Sequence, residues 1–230
     1  ILAGGLGTRI SEETADKPKP MVLIAGKPML WHIMSIFAKQ GFNDFIVATG
    51  YKSEVIESWI ETVKEPWDIK ALNTGLNTQT GGRILECMKS VPGERVFATY
   101  GDGLGNINLK ALIDFHDHQG KLATVTAVRP PARFGVLQSQ NGLVVRFGEK
   151  NQADAGWING GFFVLEPGIF NYLDGNMDDV QWEKKPLIEI ADAGQLSAYQ
   201  HNGFWKCMDT LRDKEELESM WEQGAPWKKW

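Results

Sequence analysis

The 230-residue chain predicts an α/β fold, an open and mostly parallel sheet with helices on both faces and a small antiparallel or mixed extension. Apolar strand-length runs alternate with helix-length segments over residues 1–128, and a glycine-rich turn follows the first run. From Gly135 to Leu165 the pattern changes to short strand-like runs punctuated by glycine. Strand–helix alternation signals crossover units and parallel pairing, whereas short runs joined by glycine turns pair antiparallel.

In chain order, strands are expected at Ile1–Ala3, Phe45–Ala48, Ile69–Leu72 and Val96–Thr99, separated by helices at Met29–Gln40, Lys52–Ile60 and Ile84–Lys89. Helix Leu109–His118 then leads to the β-branched run Leu122–Val128. Val136-Leu137, Val144–Phe147 and Phe162–Leu165 are short strands set off by Gly135, Gly142, Gly148 and Gly160-Gly161, an extension that closes one side of the site. Pro186–Ala193 and Leu211–Trp221 read as helices. Ile1 stands inside the first strand, so residues preceding it are expected. The tail from Ala225 carries Trp227 and Trp230, which predicts docking on another surface and a homo-oligomer.

With 43% hydrophobic and 23% charged residues, the chain can bury a substantial core in one globular domain. A net charge of −5 argues against a general polyanion binder. Positive potential is local, because Arg9, Lys17, Lys19 and Lys27 outnumber Glu12, Glu13 and Asp16 at the amino end. Cys87 and Cys207 lie far apart without C-x-x-C spacing, which suits reduced thiols in a cytoplasmic protein. No apolar run approaches the roughly 20 residues of a membrane helix, and no signal peptide is visible.

The strongest chemical signal is Leu2-Ala3-Gly4-Gly5-Leu6-Gly7-Thr8-Arg9, followed by Lys17-Pro18-Lys19-Pro20-Met21. Exposed N–H groups of a three-glycine loop and the cations Arg9, Lys17 and Lys19 can converge on one anion, which suits a nucleoside triphosphate. Commoner glycine loops do not fit. Aligning Gly5 and Gly7 with the dinucleotide fingerprint puts Ile10 at its third glycine, and Gly26-Lys27 is followed by Pro28 where a P-loop needs Ser or Thr. A plain strand-to-helix turn would explain the glycines alone; Arg9 and the Lys-Pro-Lys-Pro run favour the anion site. Pro18 and Pro20 bias Lys17 and Lys19 toward extended backbone, so their side chains alternate and one, Lys19, can point inward.

Tyr100-Gly101-Asp102-Gly103 follows an apolar run, which sets Asp102 at a strand's carboxyl end, where ligands of such sheets bind. A carboxylate there suits Mg²⁺, though Gly-Asp-Gly is also good turn sequence. Asp209 is a second candidate metal ligand or, equally, a cap for the helix beginning near Leu211. Glu149-Lys150 and Asn159-Gly160-Gly161-Phe162 could recognise an acceptor's hydroxyls and phosphate, or form surface turns. Thr78-Gln79-Thr80-Gly81-Gly82-Arg83 could address a base edge and phosphates, with helix capping by Thr80 as the modest alternative. His116 and His118 are two apart on a helix and face away from each other, and His32 and His201 lack partners at ligand spacing. The absence of G-x-S-x-G, H-E-x-x-H and paired C-x-x-C removes several hydrolase and zinc classes.

The ordered set Leu2–Arg9, Lys17–Met21, Gly101–Gly103, Glu149-Lys150, Asn159–Phe162 and Asp209 resembles the sugar-1-phosphate nucleotidylyltransferase family over nearly the whole chain. Thr78–Arg83, Tyr100–Gly103, Pro130–Gly135 and Met208–Asp213 look most like its cytidylyl-transferring members that act on glucose 1-phosphate. Thymidylyl and uridylyl relatives usually carry a different base-reading segment at 78–83. The resemblance implies a Rossmann-like sheet of the nucleotide-diphospho-sugar transferase type. Residues 1–128 would be mainly the nucleotide-binding half, 129–210 mainly the sugar-phosphate half, and 211–230 a carboxyl-terminal helix and tail. It implies that CTP and α-D-glucose 1-phosphate give CDP-glucose and pyrophosphate, a step toward dideoxyhexoses of bacterial surface polysaccharides.

In that picture Leu2, Ala3, Gly4, Gly5, Leu6, Gly7 and Thr8 wrap the nucleotide with Thr78, Thr80, Gly81 and Arg83. Arg9 and Lys19 hold its phosphates, and Mg²⁺ bridges Asp102, Asp209 and triphosphate oxygens. Lys150 neutralises the sugar phosphate, Glu149 and Asn159 take sugar hydroxyls, and Gly103, Gly135 and Gly160 complete that side. The stretch near Val63–Pro66 is brief for this subfamily. Alternatives are a uridylyl- or thymidylyltransferase, or a catalytically silent regulatory subunit of the same fold, although silent relatives usually lose charged site residues that this chain keeps.

Overall fold

The computed structural model describes residues 1–129, 135–140, 143–149 and 156–228, with backbone alone at 135–139 and 144–149. A short helix α1 (Ser11–Thr14) and a two-strand turn, β1 (Leu23–Ile24) with β2 (Lys27–Pro28), follow the glycine loop. Then come α2 (Met29–Ala38), β3 (Asp44–Thr49), α3 (Ser53–Ile60), β4 (Asp68–Asn73), α4 (Thr80–Lys89), β5 (Val96–Ala98), β6 (Gly103–Gly105), α5 (Leu109–Gln119) and β7 (Ala123–Val128). The second half holds β8 (Gly135–Gln140), β9 (Leu143–Glu149), β10 (Ile158–Asn159), β11 (Phe163–Leu165), α6 (Lys185–Asp192), β12 (Leu196–His201), β13 (Trp205–Cys207) and α7 (Leu211–Glu222).

Leu2 organises the sheet. It bridges in parallel to Ala48 of β3 and to Tyr100 just beyond β5, with Leu2 N–H on Thr99 O and Ala3 N–H on Ala48 O, both at 2.9 Å. β3 pairs in parallel with β4 outside it. On the other side β11 runs antiparallel to both β5 and β7, and β12 continues in parallel with β7. The expected open α/β sheet is therefore present, with one antiparallel strand inside it. The glycine loop leaves the sheet at the carboxyl ends of β3 and β5, where the crossover topology puts ligand sites.

Core packing follows strand alternation. Along β11, Phe163 and Leu165 pack with Ile84 and Met88 of α4 and Ile190 of α6, whereas Val164 faces Ile33 and Phe37 of α2 and the other sheet face. The predicted helices lie within a few residues of their expected bounds, with one informative exception. α4 begins at Thr80, four residues before Ile84, so Gly81 and Gly82 are helical. Their poor helix propensity is overridden by close packing: a Cβ would meet Val180 Cγ1 at 2.6 Å at position 81 and Met177 O at 2.8 Å at position 82. The β8–β9 hairpin matches the expected antiparallel extension in its backbone, but the strand expected at Phe162–Leu165 as part of that extension is β11 of the main sheet, between β5 and β7.

Trp227 docks on its own chain. It is buried, with its ring 5.7 Å from Phe204, 6.2 Å from Trp221 and 6.0 Å from His32, so its burial gives no ground for the homo-oligomer expected from the tail; Trp230 lies outside the described residues. Among the described residues no helix is long and apolar enough to cross a membrane. Removing so large a buried ring leaves a cavity, and Trp227→Ala is expected to lower the unfolding free energy by about 3 to 5 kcal/mol in urea titrations. A loss under about 1 kcal/mol would contradict this packing role.

Candidate active site

Three segments distant in sequence meet beside the glycine loop. Lys19 Nζ lies 2.6 Å from Asp102 Oδ2 and 2.8 Å from Asp209 Oδ1, and the Arg9 guanidinium reaches Asp209 Oδ2 at 2.9 Å. Lys19 points inward as expected, but from the head of a 3-10 turn (Lys19–Met21) after extended Pro18, not from the extended backbone that the prolines predicted for it. Pro20 packs against Gly101, where a Cβ would lie 2.6 Å from Pro20 Cγ and 2.8 Å from Leu2 O. Glycine at 101 lets the Lys19 turn approach the strand that carries Asp102.

The two aspartates are brought together by a ribbon. β6 pairs antiparallel with β13, Gly103 opposite Cys207, and Met208 N–H donates to Asp102 O at 2.8 Å. Asp209 follows at once. The cap of α7 is Thr210, whose hydroxyl accepts from Asp213 N–H at 3.2 Å, while the Asp213 carboxylate accepts from the Asp209 and Thr210 amides at 3.1 and 3.0 Å. The capping alternative for Asp209 is thus filled by its neighbour, which leaves the Asp209 carboxylate for the cations. Asp102 is likewise more than a turn residue, since its carboxylate faces Lys19.

Charge compensation fixes the ionisation states. Burial opposes ionisation of Asp209, but the hydrogen bond and charge of Lys19 and the charge of Arg9 hold its carboxyl below the ordinary aspartate value. Burial likewise opposes the Lys19 charge, and Asp102 and Asp209 together raise its pKa. The Cys207 thiol, 3.7 Å from Asp209 Oδ2, is pushed up to about 11 by burial and by the neighbouring Asp209 and Asp102 charges.

The glycine loop is braced from beneath by Arg83. Its buried guanidinium donates to Thr49 O at 2.8 Å, Thr74 Oγ1 at 2.5 Å, Gly4 O at 3.1 Å and Leu76 O at 3.4 Å, and burial lowers its pKa. A Cβ on Gly4 would stand 2.0 Å from the same guanidinium. Arg83 therefore supplies positive charge below the loop while its hydrogen bonds hold the strand ends. Gly7 adopts a left-handed φ of 65° at the start of the 3-10 turn carrying Thr8 and Arg9. The amides of Gly5, Leu6 and Gly7 hydrogen-bond to no other described residue.

The loop forms one wall of a cleft of about 750 Å³ whose other walls are Leu76–Thr80 and Tyr100–Asp102. Thr78 and Thr80 line it, but their hydroxyls are engaged within the protein, donating to Thr74 O at 2.6 Å and Glu183 Oε2 at 2.7 Å. Gly81 N–H donates to Val180 O at 2.9 Å. Asn159 lies across the cleft with its amide on the Tyr100 hydroxyl at 3.1 Å, and Gly160 O accepts from the Trp205 indole at 2.8 Å. Gly103 lies in β6 and Gly135 opens β8; the Glu149 backbone ends β9 opposite Gly135. Lys150 lies outside the described residues.

The nucleotidyl transferase family pattern matches residues 1–222. The chain belongs to the nucleotidyl transferase family. Glucose-1-phosphate cytidylyltransferases of Salmonella typhi and Salmonella typhimurium are each 46% identical to it over 254 aligned residues, spanning 100% of this chain and 98% of theirs. The crystal structure of HddC from Yersinia pseudotuberculosis aligns with a TM-score of 0.73 at 27% identity, covering 96% of this chain and 97% of that one.

Tyr100, Glu183 and Asp213 hold parts of this candidate site together and were not singled out as functional residues from the sequence. Tyr100 carried a signal, standing directly before Gly101-Asp102, and so did Asp213, the N3 residue of a Thr210-x-x-Asp213 capping box; Glu183 carried none, because its partners Thr80 and Tyr100 are set by tertiary contact. A carboxyl with a depressed folded pKa favours the folded state fully above its unfolded pKa, a contribution lost as pH falls through the folded value. Wild-type stability should therefore exceed that of Asp209→Asn at pH 7, and the gap should close below about pH 4 in urea titrations. A gap independent of pH would contradict the Lys19–Asp209 assignment.

Proposed function

We propose that this nucleotidyl transferase moves a cytidylyl group from CTP to α-D-glucose 1-phosphate, forming CDP-glucose and releasing pyrophosphate. The observation that carries the reading is the meeting of Lys19, Asp102 and Asp209 beside glycine-loop amides that hydrogen-bond to no other described residue, in a chain 46% identical over its length to glucose-1-phosphate cytidylyltransferases.

An oxygen of the sugar phosphate attacks the α-phosphorus in line; the new P–O bond forms as the bond to the bridging β-phosphate oxygen breaks, and pyrophosphate leaves with that electron pair. The nucleophile is already an anion, so no general base is needed. What the protein must supply is alignment of two anions and stabilisation of charge spreading over the phosphoryl oxygens. The amides of Gly5, Leu6 and Gly7 and the side chain of Arg9 face the triphosphate, Lys19 sits over the reacting phosphorus, and Arg83 adds positive potential from beneath. Asn159 and Glu149 serve the sugar hydroxyls and Lys150 the sugar phosphate.

The donor set also suits Mg²⁺. Among the described residues no group of three or more His, Cys, Asp or Glu side chains converges on a point, but Asp102 and Asp209 are two hard carboxylates already sharing one cation. Such a pair fits an ion whose remaining positions are filled by phosphate oxygens and water. Asp102 and Asp209 would hold it, and when bound it neutralises charge on the phosphates. Base choice follows donor and acceptor order: cytosine presents an N4 amino donor with N3 and O2 acceptors, matched by main-chain carbonyls and amides along Leu76–Thr80.

Purified protein with Mg²⁺ and glucose 1-phosphate should release pyrophosphate from CTP faster than from UTP, dTTP, ATP or GTP; faster release from any of those overturns the base assignment. In the same assay Asp102→Asn should lower kcat by about 100-fold or more, and a change under threefold would return Asp102 to a turn role.

A further inference from the structure

A segment of the second half crosses the amino end of α4. Met177 O and Val180 O accept from Gln79 and Gly81 N–H at 3.0 and 2.9 Å, and Trp182 N–H donates to the Thr80 hydroxyl at 2.9 Å. The crossing ends at Glu183, whose two carboxylate oxygens take hydroxyls from two walls of the cleft. Oε2 accepts from Thr80 at 2.7 Å, on the nucleotide side, and Oε1 accepts from Tyr100 at 2.6 Å. The Tyr100 oxygen in turn accepts from Asn159 Nδ2 at 3.1 Å, while Asn159 Oδ1 accepts from Gly161 N–H at 2.8 Å.

Glu183 sets the polarity at Tyr100, and Gly161 N–H, which can only donate to Asn159 Oδ1, sets the Asn159 amide in the same sense. A carboxylate only accepts, so Tyr100 must donate to it; the phenol oxygen is then left to accept, which turns the Asn159 amide nitrogen toward it. Burial, with the charge of Glu183, raises the Tyr100 pKa and keeps its proton in place. One N–H of Asn159 remains, with its direction fixed.

We propose that Glu183 is a positioning residue for acceptor recognition: through the Tyr100 hydroxyl it orients Asn159 to donate to a glucose hydroxyl, and through Thr80 it ties that orientation to the nucleotide side of the cleft. The inference rests on the reading that Asn159 faces the sugar. A fixed donor costs less ordering on binding than a rotating amide, so the arrangement acts on acceptor affinity.

Steady-state kinetics of three variants test it. Tyr100→Phe removes one hydroxyl and keeps the ring, which packs edge-on against Phe163 at 6.0 Å; KM for glucose 1-phosphate should rise about tenfold while KM for CTP stays within about twofold. Glu183→Gln, which can no longer accept from both hydroxyls, should raise both KM values. In the double variant, KM for glucose 1-phosphate should equal that of Tyr100→Phe alone, because Glu183 reaches the sugar through Tyr100. An unchanged KM for glucose 1-phosphate in Tyr100→Phe, or a double-variant rise equal to the product of the single ones, overturns the inference while active wild-type protein leaves the functional reading standing. Wild-type protein that releases no pyrophosphate from CTP and glucose 1-phosphate overturns both.

Discussion

One ammonium group between two carboxylates holds this site together. Lys19 comes from the turn after the glycine loop, Asp102 from the end of the central strands, and Asp209 from the ribbon preceding the last helix; Lys19 Nζ is within 2.8 Å of both acids. Like charges brought this close raise each other's pKa unless a cation intervenes. With Lys19 in place Asp209 moves the other way, to a value below an ordinary aspartate. The same cation makes the pair tolerable in the folded chain.

Much of the surrounding architecture serves that contact. The β6–β13 ribbon sets Gly103 opposite Cys207 and joins Met208 to the Asp102 carbonyl, so the acids cannot separate without breaking strand pairing. Asp213, partnered by Lys206 at 3.2 Å, grips the Asp209 and Thr210 amides and leaves the Asp209 side chain for Lys19 and Arg9. Arg83 holds four oxygens around the glycine loop from below. Glycines at 4, 81, 82 and 101 sit where a Cβ would collide with these supports, which explains their use without any appeal to flexibility.

The parts legible in sequence were those with local causes. Alternating runs and helix-length patterns gave the sheet and its crossovers; Lys19 points inward as expected, though from a 3-10 turn and not from the extended backbone its prolines predict. The start of α4 was expected at Ile84, after Gly81 and Gly82, whose close packing against Met177 and Val180 accompanies their place in the helix. Thr80, read as a helix cap or a base contact, is the first helical residue and gives its hydroxyl to Glu183, 103 positions away. No strand was expected at Leu196–His201, yet β12, with its alternating Leu196-Ser197-Ala198-Tyr199-Gln200-His201, pairs in parallel along the whole of β7. Trp227 was read as a sticky tail, yet its partners Phe204, Trp221 and His32 belong to the same chain. In each case the deciding neighbour lies far along the sequence, beyond the reach of spacing or propensity.

Mn²⁺ binding to nucleotide-free protein, read from the loss of the free-ion electron paramagnetic resonance signal, tests whether a divalent ion would take the place that Lys19 holds between Asp102 and Asp209. Removing the resident ammonium in Lys19→Met should tighten Mn²⁺ binding by about tenfold over wild type, since the paired carboxylates then lack their compensating charge. Mn²⁺ binding that is unchanged or weaker in Lys19→Met would show that the two acids do not share a cation site.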